Sequence, residues 1–170
     1  MLTAHLRPTF FAEWISWSWG RQGAAGVLCL PFGNGRHAPV AAADQAYVIA
    51  AILENPEPHD RQAYPLYGPV DMDHHEIASA VSRALGIPVS YEPISIEEFA
   101  EGLSSLGRSP NLIQHLSNVA VDYQNGLFGG TSNLIEVIGD RTPMTVEEFM
   151  IDRKHAFDQN GPRFVPPKSG

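Results

Sequence analysis

Residues 63–96, AYPLYGPVDMDHHEIASAVSRALGIPVSYEPISI, constrain the fold of this chain most strongly, because they predict a strand, a helix and a strand in succession. The segment 63–67 is short and apolar and is followed by a Gly-Pro pair at 68–69, a combination that ends strands. Further on, Val89 and Tyr91 alternate with polar residues, as in a half-buried strand. The helix of such a unit needs a larger sheet against which to pack its apolar face.

The predicted helix between these strands has clear start and stop signals. Asp73 precedes Glu76 by three residues, the spacing of a capping box in which each carboxylate accepts from a backbone amide. Gly86 is a typical helix end. One face of the helix is apolar and consists of Ile77, Ala80, Val81, Ala84 and Leu85.

The remaining elements follow from the same signals, including capping boxes at Ser95 with Glu98 and at Thr145 with Glu148. The other predicted strands are 2–6 and 27–30, and the other predicted helices are 10–19, 41–53, 96–106, 110–124, 132–138 and one that begins near 146. The helix 41–53 is apolar nearly all round except at Asp44 and Gln45, so we expect it to be buried. Together these elements predict an α/β fold with a helical second half.

Length and composition indicate one domain over 1–158 and a disordered tail over 159–170, which is rich in Pro and Gly. The net charge of -8 and the scattered 11 Lys and Arg residues argue against nucleic-acid binding. Cys29 is the only cysteine, and neither a secretory signal nor a membrane-spanning apolar run is present in the sequence. We therefore expect a cytoplasmic protein that does not bind membranes.

Several motifs are weak signals of chemistry. Gly20, Gly23 and Gly26 have GxxGxxG spacing, but a helix is predicted before them and a strand after them, which is the reverse of a dinucleotide site, so we predict a loop. The adjacent His74 and His75 lack the spacing of metal ligands, and we predict no metal site.

Other side chains are open to two interpretations. Cys29 lies in an apolar strand and is predicted to be structural. His37 lies in a Gly-rich loop and is the best isolated histidine for a site, although most such histidines are structural. A dense aromatic group is either packed in a core or interface or forms the wall of a pocket for a planar ligand, and it consists of Phe10, Phe11, Trp14, Trp17 and Trp19.

Four segments in this order resemble the C-terminal half of NmrA-like proteins. They are LRPTFFAEW at 6–14, LPFGNGRHAPVAAADQA at 30–46, LYGPVDMDHHEIASAVSRALGIPVSY at 66–91 and GLFGGTSNLIEVIG at 126–139. This family comprises atypical short-chain dehydrogenase/reductases, including NAD(P)H-dependent quinone reductases and cofactor-sensing regulators that catalyse nothing. The resemblance covers about residues 2–157.

The resemblance implies an incomplete Rossmann-like fold, the substrate-side part of an NmrA-like protein, with NAD or NADP as cofactor. The family carries its glycine-rich fingerprint in an N-terminal half that is not found in this sequence. The Tyr-x-x-x-Lys pair of some relatives in the wider superfamily is also not found, so the catalytic residues stay unassigned. By resemblance, the cofactor-binding residues are Pro8, Thr9, Phe10 and Phe11, and the substrate-binding residues are Glu13, Trp14, Phe32 and His37.

The resulting expectation is the substrate-binding part of an NAD(P)-dependent oxidoreductase with quinone-reductase-like hydride transfer. The alternatives are a non-catalytic regulatory module that senses NAD(P) or a ligand, and a fragment of a longer protein. Without the dinucleotide-binding half, an apolar surface including Phe10, Phe11, Trp14 and Trp17 is predicted to be exposed. We therefore expect a homo-oligomer or a complex with a separate cofactor-binding chain, besides a small-molecule substrate.

Overall fold

The computed structural model describes residues 1–157, which form a mixed α/β fold with parallel strand pairs. The predicted tail 159–170 lies outside the described residues. The strands are β1 (Ala4–Pro8), β2 (Trp19–Gln22), β3 (Ala25–Leu30), β4 (Arg36–His37), β5 (Gln62–Leu66), β6 (Met72–Asp73) and β7 (Val89–Pro93). The helices are α1 (Glu13–Trp17), α2 (Ala42–Glu54), α3 (His74–Leu85), α4 (Ile96–Ser105), α5 (Pro110–Gln124), α6 (Leu134–Gly139) and α7 (Val146–Asp152), and 3-10 turns cover Glu57–His59 and Lys154–Phe157.

The strands of the described chain form three small sheets. β1 pairs in parallel with β5, and Leu6 lies opposite Tyr64. β3 lies between antiparallel β2 and parallel β7, with Leu28 opposite Tyr91. β4 and β6 form a short antiparallel pair. The predicted strand, helix and strand of 63–96 are all present, but β5 and β7 belong to different sheets, so α3 connects two sheets instead of crossing over one.

Helix α3 begins and ends where the sequence predicts. The Asp73 carboxylate accepts from the Glu76 amide at 2.8 Å, and the Glu76 carboxylate accepts from the Asp73 amide at 3.0 Å. Gly86 ends the helix with φ of 71°. The other two predicted capping boxes are also present, at the starts of α4 and α7. Local capping signals therefore determine these helix boundaries.

The predicted helix 10–19 is wrong in length, because α1 spans only Glu13–Trp17. The preceding residues are tied to the segment before α2: the Phe10 carbonyl accepts from the Val40 amide at 3.0 Å, and the Val40 carbonyl accepts from the Ala12 amide at 2.8 Å. Trp19 instead begins β2. Extended backbone pairing thus replaces helix at both ends of the aromatic segment.

The predicted loop 20–26 is a β-hairpin of β2 and β3. Gly23 turns the hairpin with φ of 61°, a conformation that side chains disfavour. Gly26 packs under the buried Trp19 indole, and a Cβ at this position would overlap the ring. These two glycines therefore have structural roles in turning and packing the hairpin.

Helix α2 is present as predicted, but its expected burial is wrong. Its buried residues are Asp44, Val48 and Ile52, whereas Leu53 is 73% exposed and Ile49 is also exposed. The helix packs through one face against α6 and the β1-β5 sheet, and the Asp44 carboxylate accepts from the Met144 amide at 2.8 Å. An apolar outer face is left on the surface of the described chain.

Two hydrophobic cores hold these elements. The larger core lies between the β2-β3-β7 sheet and helices α3, α4, α5 and α7, and the smaller core lies under α2, between the β1-β5 sheet and α6. The two meet along the segment from Phe10 to Ala12. Within residues 1–157, every helix is too short or too polar to cross a lipid bilayer.

Candidate functional site

A small pocket opens where α1, the segment after β3, β4 and the start of α3 meet. Its cavity volume is about 10 Å³, close to the least that one water molecule needs. It is lined by Phe10, Phe11, Trp14, Ile15, Ser18, Leu28, Leu30, Phe32, His37, His74 and Ile77. Five of the eight residues that the resemblance assigned to the cofactor and substrate therefore lie together.

Aromatic rings form most of this pocket. The Phe10 ring lies at the centre, with its centroid 6.0 Å from Trp14, 5.6 Å from Phe32 and 5.3 Å from Tyr123, in edge-to-face geometry. Phe32 stacks on Tyr123 at 4.2 Å with planes 17° apart. Phe10, Trp14 and Phe32 thus form an aromatic wall of this pocket, which is called the slot below. Phe10 and Trp14 line this pocket and also pack against the larger core, which contains the buried Trp19, so both interpretations of the aromatic segment stay open.

Three polar groups form a chain beside the rings. The Tyr123 hydroxyl hydrogen-bonds Nδ1 of His37 and lies 3.4 Å from Nδ1 of His74. His37 is 4% exposed, His74 is 5% exposed and Tyr123 is fully buried. The two imidazole rings are 5.7 Å apart and nearly parallel. Both histidines also line the pocket, so its apolar wall has a polar strip.

Burial keeps all three groups neutral. It lowers the pKa of His37 well below its ordinary value, and the neighbouring His74 lowers it further. Burial also lowers the pKa of His74 to about 3, with Asp73 acting in the opposite direction. The pKa of the Tyr123 hydroxyl is raised, again mainly by burial. At neutral pH the site therefore contains two uncharged imidazoles and a protonated phenol.

The backbone around His37 places the histidine against Tyr123. Gly35 packs directly on Tyr123, and a Cβ at position 35 would overlap both its ring and its carbonyl. Arg36 binds the Asp71 carboxylate at 2.9 Å and that of Glu76 at 2.8 Å, which ties β4 to the capped start of α3. His37 and His74 are thereby held on opposite sides of one hydroxyl.

The three other predicted site residues lie outside this pocket. Pro8 ends β1, and the Thr9 amide donates to the Leu66 carbonyl at 3.0 Å, while its buried hydroxyl has no partner within the described chain. Both carboxylate oxygens of Glu13 lie 3.3 Å from the Ala42 amide at the start of α2. Glu13 thus caps a helix here, and its assignment to the substrate remains a prediction.

Sequence reasoning missed two residues of the site. His74 was considered only as a metal ligand, but it is buried and lies within 3.4 Å of the Tyr123 hydroxyl. Tyr123 belongs to the buried face of α5 with Leu116 and Ala120, and this helical spacing was its only local signal. Cys29 is buried in β3, as predicted. Among residues 1–157, no three His, Cys, Asp or Glu side chains are grouped so that they could hold a metal ion.

The dinucleotide implied by the resemblance fits this chain only in part. The aromatic slot and the unpartnered Thr9 hydroxyl near it in sequence suit the nicotinamide end, which is planar and carries a polar amide. The pyrophosphate end does not fit, because the GxxGxxG segment is a hairpin and does not open a helix. In the part of the chain that the structure describes, we find no glycine-rich strand-to-helix turn.

Comparison with known proteins gives two sequence relatives, and no protein-family profile matches the chain. An NAD(P)H azoreductase from Xenophilus azovorans is 26% identical over 157 residues, which are 92% of this chain and 54% of that protein. Quinone oxidoreductase 2 from Escherichia coli K12 is 27% identical over 136 residues, which are 79% of this chain and 46% of that protein. The chain thus spans about half the length of both relatives.

Solved structures share the fold. The E. coli NADPH-dependent quinone oxidoreductase in complex with NADPH superposes with a TM-score of 0.73 at 22% identity, covering 89% of this chain and 52% of that one. NmrA, a negative transcriptional regulator in complex with NAD, gives 0.71 at 10% identity, covering 90% and 52%. The structural neighbours are therefore NmrA-like and quinone-reductase proteins, and the described chain has the Rossmann-like α/β fold of part of their length.

Proposed function

We propose that this chain is the substrate-side part of a cytoplasmic NAD(P)H-dependent reductase that acts on planar aromatic acceptors such as quinones. The observation that carries the proposal is the slot between Phe10, Trp14 and Phe32, with His37 and His74 on its polar strip. The relatives named as azo and quinone reductases support the same class of acceptor. A flat, apolar ring complements the aromatic wall of the slot, and one or two carbonyl oxygens on this ring complement its polar strip.

In this proposal the dinucleotide is held mainly by residues outside these 170. When bound, a reduced nicotinamide supplies a hydride. The chain itself contributes the aromatic walls that orient the acceptor, excludes water with Phe10 and Trp14, and presents imidazole nitrogens to the acceptor oxygen. The cavity as it stands is too small for an acceptor ring, so the proposal requires the half-buried Phe10 and Trp14 rings to move outward when an acceptor enters.

Calorimetric titration of the chain with 1,4-naphthoquinone-2-sulfonate tests this proposal. We expect binding in the micromolar range and a loss of about tenfold in affinity in Trp14→Ala, because the indole forms one wall. Tyr47→Ala is the control, since Tyr47 is 44% exposed on α2 and does not line the slot. Undetectable binding, or equal losses in both variants, would contradict the proposed substrate site.

NADPH alone should bind the chain weakly, with a dissociation constant above about 100 μM, because the pyrophosphate lacks a cradle. Titration calorimetry measures this directly. Gly23→Asn is the appropriate control, since asparagine tolerates the left-handed turn at this position. Micromolar binding that disappears in Gly23→Asn would mean that the hairpin glycines do contact phosphate.

An alternative function is a non-catalytic module that senses NAD(P) or a ligand. The similarity to the fold of NmrA, described as a negative transcriptional regulator, favours this alternative. This alternative would be favoured if a quinone binds the slot but is not reduced in the presence of the cofactor-binding partner.

We also propose that the outer face of α2 is covered in the working protein, by a separate cofactor-binding chain or by a second copy. Leu2, Ile49 and Leu53 are exposed there and, with Leu6, line an apolar groove beside β1. Within the described chain β1 pairs only with β5, which leaves one strand edge unpaired. The surface differs from the predicted one, because Phe10, Phe11 and Trp14 are partly buried and only Trp17 is exposed.

The isolated chain is expected to self-associate at low micromolar concentration, because association buries the apolar groove and pairs the free strand edge. Sedimentation velocity measures the effect. The double variant Ile49→Ser with Leu53→Ser should shift the chain toward monomer, whereas Val121→Ser, which removes an exposed apolar residue on α5, should not. A monodisperse wild-type monomer would contradict the expectation.

A further inference from the structure

We propose that His37, Tyr123 and His74 form a proton relay that supplies the proton an acceptor oxygen needs when a hydride reaches the acceptor ring. The inference rests on the proposed function of the slot. It assigns a chemical role to three buried groups that a purely hydrophobic pocket would not require.

The protons on these three groups can be counted. The Tyr123 hydroxyl carries one proton and lies between two Nδ1 atoms, so it donates to one imidazole and accepts from the other. A neutral imidazole carries one proton. One histidine therefore has its proton on Nδ1 and the other has it on Nε2. Whichever way Tyr123 points, the two Nε2 atoms share a single proton.

The Nε2 atom of each histidine is the ring nitrogen that Tyr123 does not use. Both rings line the slot, and Nδ1 of each is used by Tyr123, so Nε2 is the ring nitrogen left for a ligand. Within residues 1–157 neither Nε2 has a hydrogen-bond partner, and neither is among the fully buried unpaired atoms. The slot thus presents one N–H donor and one nitrogen acceptor to an acceptor molecule.

The proton transfer is balanced when it runs through the three hydrogen-bonded side chains in one direction. When a dihydronicotinamide supplies a hydride to the quinone, the Nε2–H bond of His37 would break as the O–H bond of the quinol forms. Tyr123 would pass its proton to Nδ1 of His37 and take the Nδ1 proton of His74, while a water molecule at Nε2 of His74 gives up a proton and leaves as hydroxide. The nicotinamide is oxidised, the quinone is reduced, and each imidazole remains neutral.

The environment favours this concerted route. Burial disfavours the imidazolium and phenolate forms, as the directions of the three pKa shifts indicate. A relay through neutral groups avoids both charged forms, whereas a lone histidine acting as a general acid would have to be charged first. The stack of Phe32 on Tyr123 holds the hydroxyl between the rings.

Tyr123→Phe tests the relay because it removes the hydroxyl and keeps the ring that stacks on Phe32. Tyr64→Phe is a matched control, since the Tyr64 hydroxyl bonds Nδ1 of His59 at 2.7 Å outside the slot. Long-range 1H–15N NMR of the 15N-labelled chain reports the tautomer of each histidine, with His37→Gln and His74→Gln for assignment. We expect opposite tautomers for His37 and His74 in wild type and in Tyr64→Phe, and the same tautomer for both in Tyr123→Phe.

A rate measurement separates a relay from a structural hydrogen bond. 1-Benzyl-1,4-dihydronicotinamide is a hydride donor that needs no dinucleotide-binding half, and 1,4-naphthoquinone-2-sulfonate is the acceptor. Tyr123→Phe should keep the affinity for the quinone within about twofold and lower the chain-catalysed rate on the order of a hundredfold. Tyr64→Phe should leave both values unchanged.

Four results would overturn the relay. Two come from NMR: identical tautomers in wild type, or tautomers unaffected by Tyr123→Phe. Two come from kinetics: quinone binding without a rate loss in Tyr123→Phe, or a wild-type chain that binds the quinone but does not accelerate its reduction. Failure of the quinone to bind is a different outcome, because it contradicts the proposed function of the slot. The NMR measurement still tests whether His37, Tyr123 and His74 form the proposed hydrogen-bonded network.

Discussion

Replacing Ile77 with Asp is expected to abolish the folded state. Ile77 is fully buried on the inner face of α3, in the core against β3 and β7, and it also forms the floor of the aromatic slot. A carboxylate at this position would be desolvated without a cation, which costs about 3 to 5 kcal/mol, and the loss of the apolar side chain adds to it. Since a domain of this size is stable by roughly 5 to 15 kcal/mol, most of its stability would be lost.

Circular dichroism with heating and urea measures this effect. Ser79→Asp is the matched control, because it introduces the same side chain on the exposed face of the same helix and should change the melting temperature little. Val81→Asp, at another fully buried position one turn further along the helix, should reproduce the loss. A cooperative melt of Ile77→Asp near that of wild type would mean that α3 does not face this core.

The second expected result is a steep loss of stability between pH 6.5 and 5. In the unfolded chain both His37 and His74 titrate near 6.5, whereas in the folded chain burial lowers the pKa of each, for His74 to about 3. Below pH 6.5 the unfolded state therefore binds protons that the folded state excludes. For His74 stability falls by about 1.4 kcal/mol per pH unit below 6.5, or about 2 kcal/mol at pH 5, and the lowered pKa of His37 adds a loss in the same direction.

Urea unfolding at pH 7.5, 6.0 and 5.0 tests this dependence. His74→Asn should remove roughly half of the change, because one of the two buried imidazoles is gone. His115→Asn should leave it unchanged, since His115 lies on the exposed face of α5. The raised pKa of the Asp44 carboxyl, caused mainly by burial, acts in the opposite direction, because the folded state then holds that proton more tightly than the unfolded state does. Constant stability over this range would mean that both histidines reach solvent in the native state.

The elements that local sequence predicted well are those with local causes. The capping boxes at Asp73, Ser95 and Thr145 involve residues three apart, so a short window contains the whole interaction. The burial of α2 was predicted wrongly, because its hydrophobicity does not reveal which neighbours cover it. Its outer face is apolar and exposed, and the polar Asp44 faces inward to the Met144 amide, 100 residues away.

The candidate site was predictable only in part for the same reason. The resemblance named Phe10, Trp14, Phe32 and His37, and the structure joins them in one slot, while their roles in binding stay a prediction. The contact of His37 with Tyr123 spans 86 residues and that of His74 with Tyr123 spans 49 residues, and no local pattern encodes either pair. The extended pairing of the Phe10 segment with Val40 likewise overrode its helical spacing.

The contact between Gly35 and Tyr123 links two positions that are far apart in the gene. A Cβ at position 35 would overlap the carbonyl of residue 123 as well as the Tyr123 ring, so a smaller side chain at position 123 would relieve only part of the clash. A mutational library that randomises position 35 should therefore return glycine, whether position 123 keeps tyrosine or carries a smaller residue. Homologous sequences that keep this helix against this loop should accordingly carry glycine at position 35.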